Sequence, residues 1–152
     1  MSANETDPEA RKGNAMSEAD VDAFLTEHGH GVLALAADGD TYGIPVSYGY
    51  DGDRLYLVLL EFGETSKKLD LLATTDTATL VAYDVESPLR WRSVIVRGPI
   101  EAVGDDELEH MDAVMEDNAW FPTIHPPTEP VTGVTRVAMD IDAATGRVGP
   151  DA

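Results

Sequence analysis

The chain has 152 residues, 43% of them apolar, which suits one globular domain with a substantial core. Twenty-nine acidic residues face ten basic ones, for a net charge of −19 and a pI near 4.2, and such a chain repels nucleic acid and anionic membranes. Cysteine is absent, which excludes disulfides, thiolate metal sites and cysteine nucleophiles.

Residues 1–15 are polar, contain Pro8 and Gly13 and have no periodicity, so a mobile tail is expected there, with Met16-Ser17 as an alternative start. The first seven residues have neither a basic leader nor an apolar run, which predicts a cytoplasmic protein. Ser17 caps a short helix with Val21, Phe24 and Leu25 as its apolar stripe, and Gly29 ends it. Three strands follow at 31–37, 42–50 and 55–60, separated by Asp38-Gly39 and Asp51-Gly52, the turn pairs of an antiparallel meander. Thr65 opens a second helix through Leu69, Leu72 and Ala73.

A fourth strand is expected at 79–85 and a long fifth at 91–103, which Gly98-Pro99 bends or bulges. An acidic helix begins at Asp105 or Asp106, with Leu108, Met111 and Met115 on one stripe. A proline-rich segment, 119–133, carries Trp120, Phe121 and His125, and a last strand covers 134–141. Six strands, tight turns and three short helices predict a mainly β protein: a six-stranded antiparallel split barrel over 16–145, with a frayed tail at 146–152.

Several motif-like strings do not hold in context. Gly29-His30-Gly31-Val32-Leu33-Ala34 fits a dinucleotide fingerprint, but here a helix precedes it and a strand follows, the reverse of what that fold needs. Pro45-Val46-Ser47-Tyr48-Gly49 lacks the first glycine of a nucleophile elbow. His28, His30, His110 and His125 have no metal-site spacing, so no metal is expected.

The basic residues are more informative. Five of the ten lie in two stretches: Lys67 and Lys68 after Thr65-Ser66, then Arg90, Arg92 and Arg97. Hydroxyls, ammonium groups and free amides at a helix start suit a phosphate monoester, so Ser66, Lys67 and Lys68 are the best anion-site candidates. Trp91, Ser93 and Arg97 fall on one face of their strand and suit a planar ligand or an interface. Acidity spread along a globular chain also suggests adaptation to high salt, where screening removes self-repulsion.

With these pieces in place, the chain resembles the pyridoxamine 5′-phosphate oxidase-like FMN-binding split β-barrel family, in its short, nitroimidazole-resistance-like branch. The resemblance rests on Tyr42-Gly43-Ile44-Pro45-Val46-Ser47-Tyr48, Ser66-Lys67-Lys68-Leu69 and Trp91-Arg92-Ser93-Val94-Ile95-Val96-Arg97-Gly98, within residues 28–142. It implies a homodimer with FMN at the subunit interface and an FMN-dependent oxidoreductase of unassigned substrate. It implies that Ser66, Lys67 and Lys68 hold the FMN phosphate and that Pro45, Val46 and Ser47 meet the isoalloxazine. Ser93 and Arg97 would lie near the cofactor, Trp91 close to the interface, and the Trp120-Phe121 loop would complete a pocket. Arginines that bind a substrate phosphate have no match after residue 98, which argues against vitamin B6 oxidation. A deazaflavin coenzyme on the same barrel and a non-enzymatic flavin store are the alternatives.

Overall fold

A computed structural model describes residues 8–62, 67–118 and 131–152. The elements are α1 (Pro8–Arg11), β1 (Asn14–Ala15), α2 (Glu18–His28), β2 (His30–Ala37), β3 (Asp40–Tyr50), β4 (Arg54–Phe62) and α3 (Lys67–Thr74). They continue with β5 (Ala78–Ser87), β6 (Arg90–Gly98), β7 (Ile100–Ala102), a 3₁₀ turn at Asp105–Glu107, α4 (Leu108–Asn118), β8 (Val131–Asp140) and β9 (Ala143–Val148).

Local chemistry accounts for the first half. The Ser17 hydroxyl accepts the Asp20 amide at 3.1 Å, and Gly29 takes the left-handed conformation (φ 76°) that stops α2. Asp38 and Gly39 (φ 53° and 79°) turn β2 into β3, and Gly52 (φ 99°) turns β3 into β4.

Nine antiparallel strands run in the order β1-β9-β6-β5-β2-β3-β4-β8-β7. The sheet closes where β6 passes into β7 and β8 into β9: Arg97 and Pro99 carbonyls accept the amides of Asp142 and Asp140. A Cβ on Gly98 would lie 1.6 Å from the Asp140 carbonyl oxygen, so only glycine allows this corner. Inward residues such as Leu33, Leu35, Val46, Tyr48, Leu57, Leu80, Val94, Val96 and Met139 fill the barrel, and α2 plugs one end with Phe24 and Leu25. Each such side chain stabilises the fold by about 1.5–3 kcal/mol.

Three expectations change. The long fifth strand breaks at Pro99 into β6 and β7. Residues 146–148, expected in a frayed tail at 146–152, instead belong to strand β9 (Ala143–Val148), which pairs with both β6 and β1. Its Ala-Ala-Thr-Gly composition carries no alternation, so partner strands impose the conformation. Residues 8–15, expected within a mobile tail, contain α1 and β1. The Arg147 guanidinium holds that segment by donating to the Lys12 and Gly13 carbonyls at 2.8 and 3.2 Å. The expected six strands are therefore nine.

Among the described residues no helix is long and apolar enough to cross a membrane.

Candidate functional site

The outer surface of the sheet divides into two regions. Over β4, β8 and the end of β3, helix α4 buries Tyr56, Met111, Val114 and Ala138 in a small second core. Gly49 permits this approach, since a Cβ there would meet Val114 and the Met115 backbone at 2.9–3.1 Å. Over β2, β5 and β6 no described helix lies, and Val32, Tyr83, Val85 and Ile95 are 38–63% exposed.

Between these regions the sheet is split. β3 pairs with β2 along its whole length up to Ser47, but with β4 only at residues 48–50. Tyr48 donates its amide to the Gly29 carbonyl, which sets the ladder's phase. By alternation, the backbone groups of Gly43 and Pro45 point away from β2 into the split, where no described strand pairs with them. Pro45 has no N–H to satisfy there. Helix α3 packs beside this opening against β2 and β3, anchored by Leu71 in the core.

The expected site residues scatter accordingly. Pro45 lies exposed on the outer face, in a cleft of about 310 Å³ with His28, His30, Gly31, Val32, Val81 and Tyr83. Val46 does not join it: its side chain is in the core, and its backbone groups face β2. Ser47 is buried, and its hydroxyl donates to the Gly29 carbonyl at 3.1 Å, so it ties β3 to the end of α2. Lys67 and Lys68 are the first two residues of α3, with side chains outside the described part. Ser66, Trp120, Phe121 and His125 also lie outside the described residues.

Trp91, Ser93 and Arg97 do share the outer face of β6, opposite the buried Val94 and Val96. Register places Arg97 beside Thr79, Ala34 and Gly43 in turn, three inter-strand steps or about 14 Å from the split. One chain alone therefore does not bring them to Pro45. The arginines beside them are also committed: Arg92 pairs with Asp84 at 2.6 Å and Arg90 approaches Glu86 at 3.6 Å. Asp84 lies opposite Arg92 in the β5–β6 register, which sequence adjacency does not show, whereas Glu86 is four residues from Arg90 across the hairpin turn. Arg97 makes no ion pair with a described carboxylate.

Charge is concentrated elsewhere too. Arg54 contacts Glu101, Glu107 and Asp140 together, and those carboxylates hold its guanidinium above its ordinary value despite burial. His110 meets Asp51 at 2.9 Å and pins α4 to the β3–β4 turn. Among the described residues no group of three or more His, Asp or Glu could hold a metal ion.

Of the cleft histidines, only His30 shares strand parity with Val32; His28 ends α2 and had no sequence signal. Phe24 stacks on His28 (4.7 Å between ring centres), and His28 tilts against His30 (4.1 Å). The Arg92 guanidinium lies over the Phe24 ring. Burial, then the neighbouring His30, push the His28 imidazole below its ordinary pKa.

Comparison with known proteins follows the same outline. An uncharacterized protein of Rhizobium meliloti strain 1021 is 24% identical over 126 residues, covering 76% of this chain and 81% of that one. Among solved structures, an FAD-binding protein of Mesorhizobium loti superposes with a TM-score of 0.68 at 21% identity, over 88% of this chain and 94% of that one. A candidate 5-nitroimidazole antibiotic resistance protein of Bacteroides thetaiotaomicron gives 0.68 at 20%, over 90% and 87%. The family model described as pyridoxamine 5′-phosphate oxidase matches residues 17–148, nearly the whole described barrel, and the chain belongs to that family.

Proposed function

We propose that this protein binds FMN in the split beside β3 and acts as an FMN-dependent oxidoreductase in the cytoplasm, working as a homodimer. The observation that carries the reading is the edge of β3 at Gly43 and Pro45, unpaired among the described residues, with α3 packed against β2 and β3. An isoalloxazine edge alternates carbonyl and N–H groups, as a peptide does, and a free strand edge is its natural complement. The start of α3, with Lys67 and Lys68, suits the phosphate.

When bound, the flavin supplies the electron transfer. The chain's own residues orient it: Gly43 and Pro45 by their backbone, and the apolar outer face by excluding water. Arg97 reaches such a flavin only across an interface between two copies, which gives the dimer its part in the site. The exposed Val32, Val85 and Ile95 support that pairing, because a strip of this kind marks an interaction surface. FAD is the second reading, favoured by the likeness to structures described as FAD-binding.

The test is a visible spectrum of the protein purified in high salt, with the released cofactor identified by mass. A flavin spectrum with the mass of FMN supports the reading, and the mass of FAD or of a deazaflavin replaces the cofactor. A colourless protein that takes up no flavin overturns it.

A further inference from the structure

Register sorts the outward side chains of the open region into rows that cross β9, β6, β5, β2 and β3. One row is Thr145, Ile95, Val81, Val32 and Pro45, and the next includes Arg97, Thr79, Ala34 and Gly43. No outward position in these registers is Asp or Glu, in a chain that has 29 such residues. On the covered side, by contrast, α4 alone carries Glu109, Asp112, Glu116 and Asp117. At a net charge of −19, the carboxylate-free face is where a second copy meets least repulsion. Five strands wide and spanning Trp91 to Arg97, it measures roughly 550 Å² per copy, and two such faces clear the ~1,000 Å² that a specific interface needs.

We propose, resting on the homodimer of the preceding reading, that two copies stack across this face with their two-fold axis along the seam between β5 and β2. When two identical faces stack, the axis lies parallel to both sheets, and each side chain faces its reflection across that axis. Arg97 and Gly43 lie in one row, three strand steps apart. For Arg97 of one copy to face the split of the other, the axis must run along the strands, midway between β6 and β3. Midway is the β5–β2 seam, where Val32 pairs with Val81 and Ala34 with Thr79.

The consequence is a map of the interface. β6 of one copy roofs β3 of the other, so Ile95 faces Pro45 and Arg97 faces Gly43, while Val81 faces Val32 at the seam. β9 falls opposite the split itself. The two outward arginines have separate fates: Arg147 donates to the Lys12 and Gly13 carbonyls of its own chain, which leaves Arg97 for the other copy. Small side chains at Ala34 and Thr79 let the sheets approach to the ~10 Å of stacked sheets.

Because the chain has no cysteine, one introduced thiol per copy reads the axis directly. Ala34 and Thr145 are both exposed outward positions. Across the dimer, the two Ala34 positions are offset sideways by one strand step, about 5 Å, and the two Thr145 positions by five, about 24 Å. Ala34→Cys and Thr145→Cys are each treated with a short bismaleimide in high salt, with and without FMN, and sedimentation reports the oligomeric state. Ala34→Cys is expected to give covalent dimer about tenfold faster than Thr145→Cys, although both react alike with a single maleimide. Thr79→Cys, across the seam, should link as Ala34→Cys does. A dimer in which Thr145→Cys links as fast as Ala34→Cys, or in which neither seam thiol links, overturns the proposed axis and leaves the homodimer standing. A protein that sediments as a monomer with and without flavin overturns both. A colourless dimer that links at Ala34 defeats the flavin reading and supports this one.

Discussion

The two outer regions of this barrel use similar residues to opposite ends. Under α4, Tyr56, Met111 and Ala138 are at most 1% exposed, because the chain supplies its own cover. Over β2, β5 and β6 the sheet presents Val32, Tyr83, Val85 and Ile95 to solvent, in a protein otherwise coated with carboxylates. Apolar content therefore does not separate the structural face from the functional one; the presence of a covering helix does. The candidate site lies where the cover stops, at the edge of β3 that faces the split.

The largest expected effect breaks both regions at once. Gly98→Ala puts a methyl group into the Asp140 carbonyl at the corner where the barrel closes. A loss of about 3 kcal/mol or more is expected in chemical denaturation, unless the corner opens. Next, Met111→Ala should cost about 2–5 kcal/mol, as a cavity in a sealed face does. Ile95→Ala on the open face should cost less than about 0.5 kcal/mol in a dilute monomer. If the two substitutions cost the same at all concentrations, the distinction between the faces fails. Ile95→Asp sharpens it further: sedimentation should show the proposed dimer lost while the denaturation midpoint of the monomer is kept.

A smaller effect separates the faces by pH. The His28 imidazole titrates below its ordinary value of 6.5 in the folded chain. Its contribution to stability is therefore present above about pH 6.5 and is lost as the pH falls through the folded value. Urea midpoints should drop on acidification, and His28→Gln should remove that part of the slope. Smallest is Arg97→Ala, which should leave folding unchanged and lower the reduction potential of bound flavin, since a cation near the ring favours its reduced anion. An unaltered potential would detach Arg97 from the site.

Much of the fold was legible because it is written locally. The Ser17 cap, the Gly29 stop and the two Asp-Gly turns each act within a few residues, and each sits where the sequence puts it. Strand β9 was not legible, because Ala143–Val148 has no pattern of its own and takes its conformation from β6 and β1. The site divides the same way. Pro45 announced an unpaired edge through its missing donor, whereas the loss of Val46 to the core depends on the phase of the ladder. The pairing of Arg92 depends on which β5 acid, Asp84, the register sets opposite it. His28 and His30 look unremarkable in sequence and meet only because a helix end and a strand start fold against each other.

The clasp of Arg147 on the Lys12 and Gly13 carbonyls joins groups about 135 positions apart along the chain. During vectorial synthesis the hydrogen-bonding edge of β6 stays open until residues 143–148 emerge, and β1 has nothing to dock on before then. At translation rates of about 5–20 residues per second, that leaves an unsatisfied edge exposed for seconds. Such long-range closure also slows folding itself. A strongly acidic surface keeps nascent copies apart through that interval, so the charge that burdens the finished barrel also protects the unfinished one.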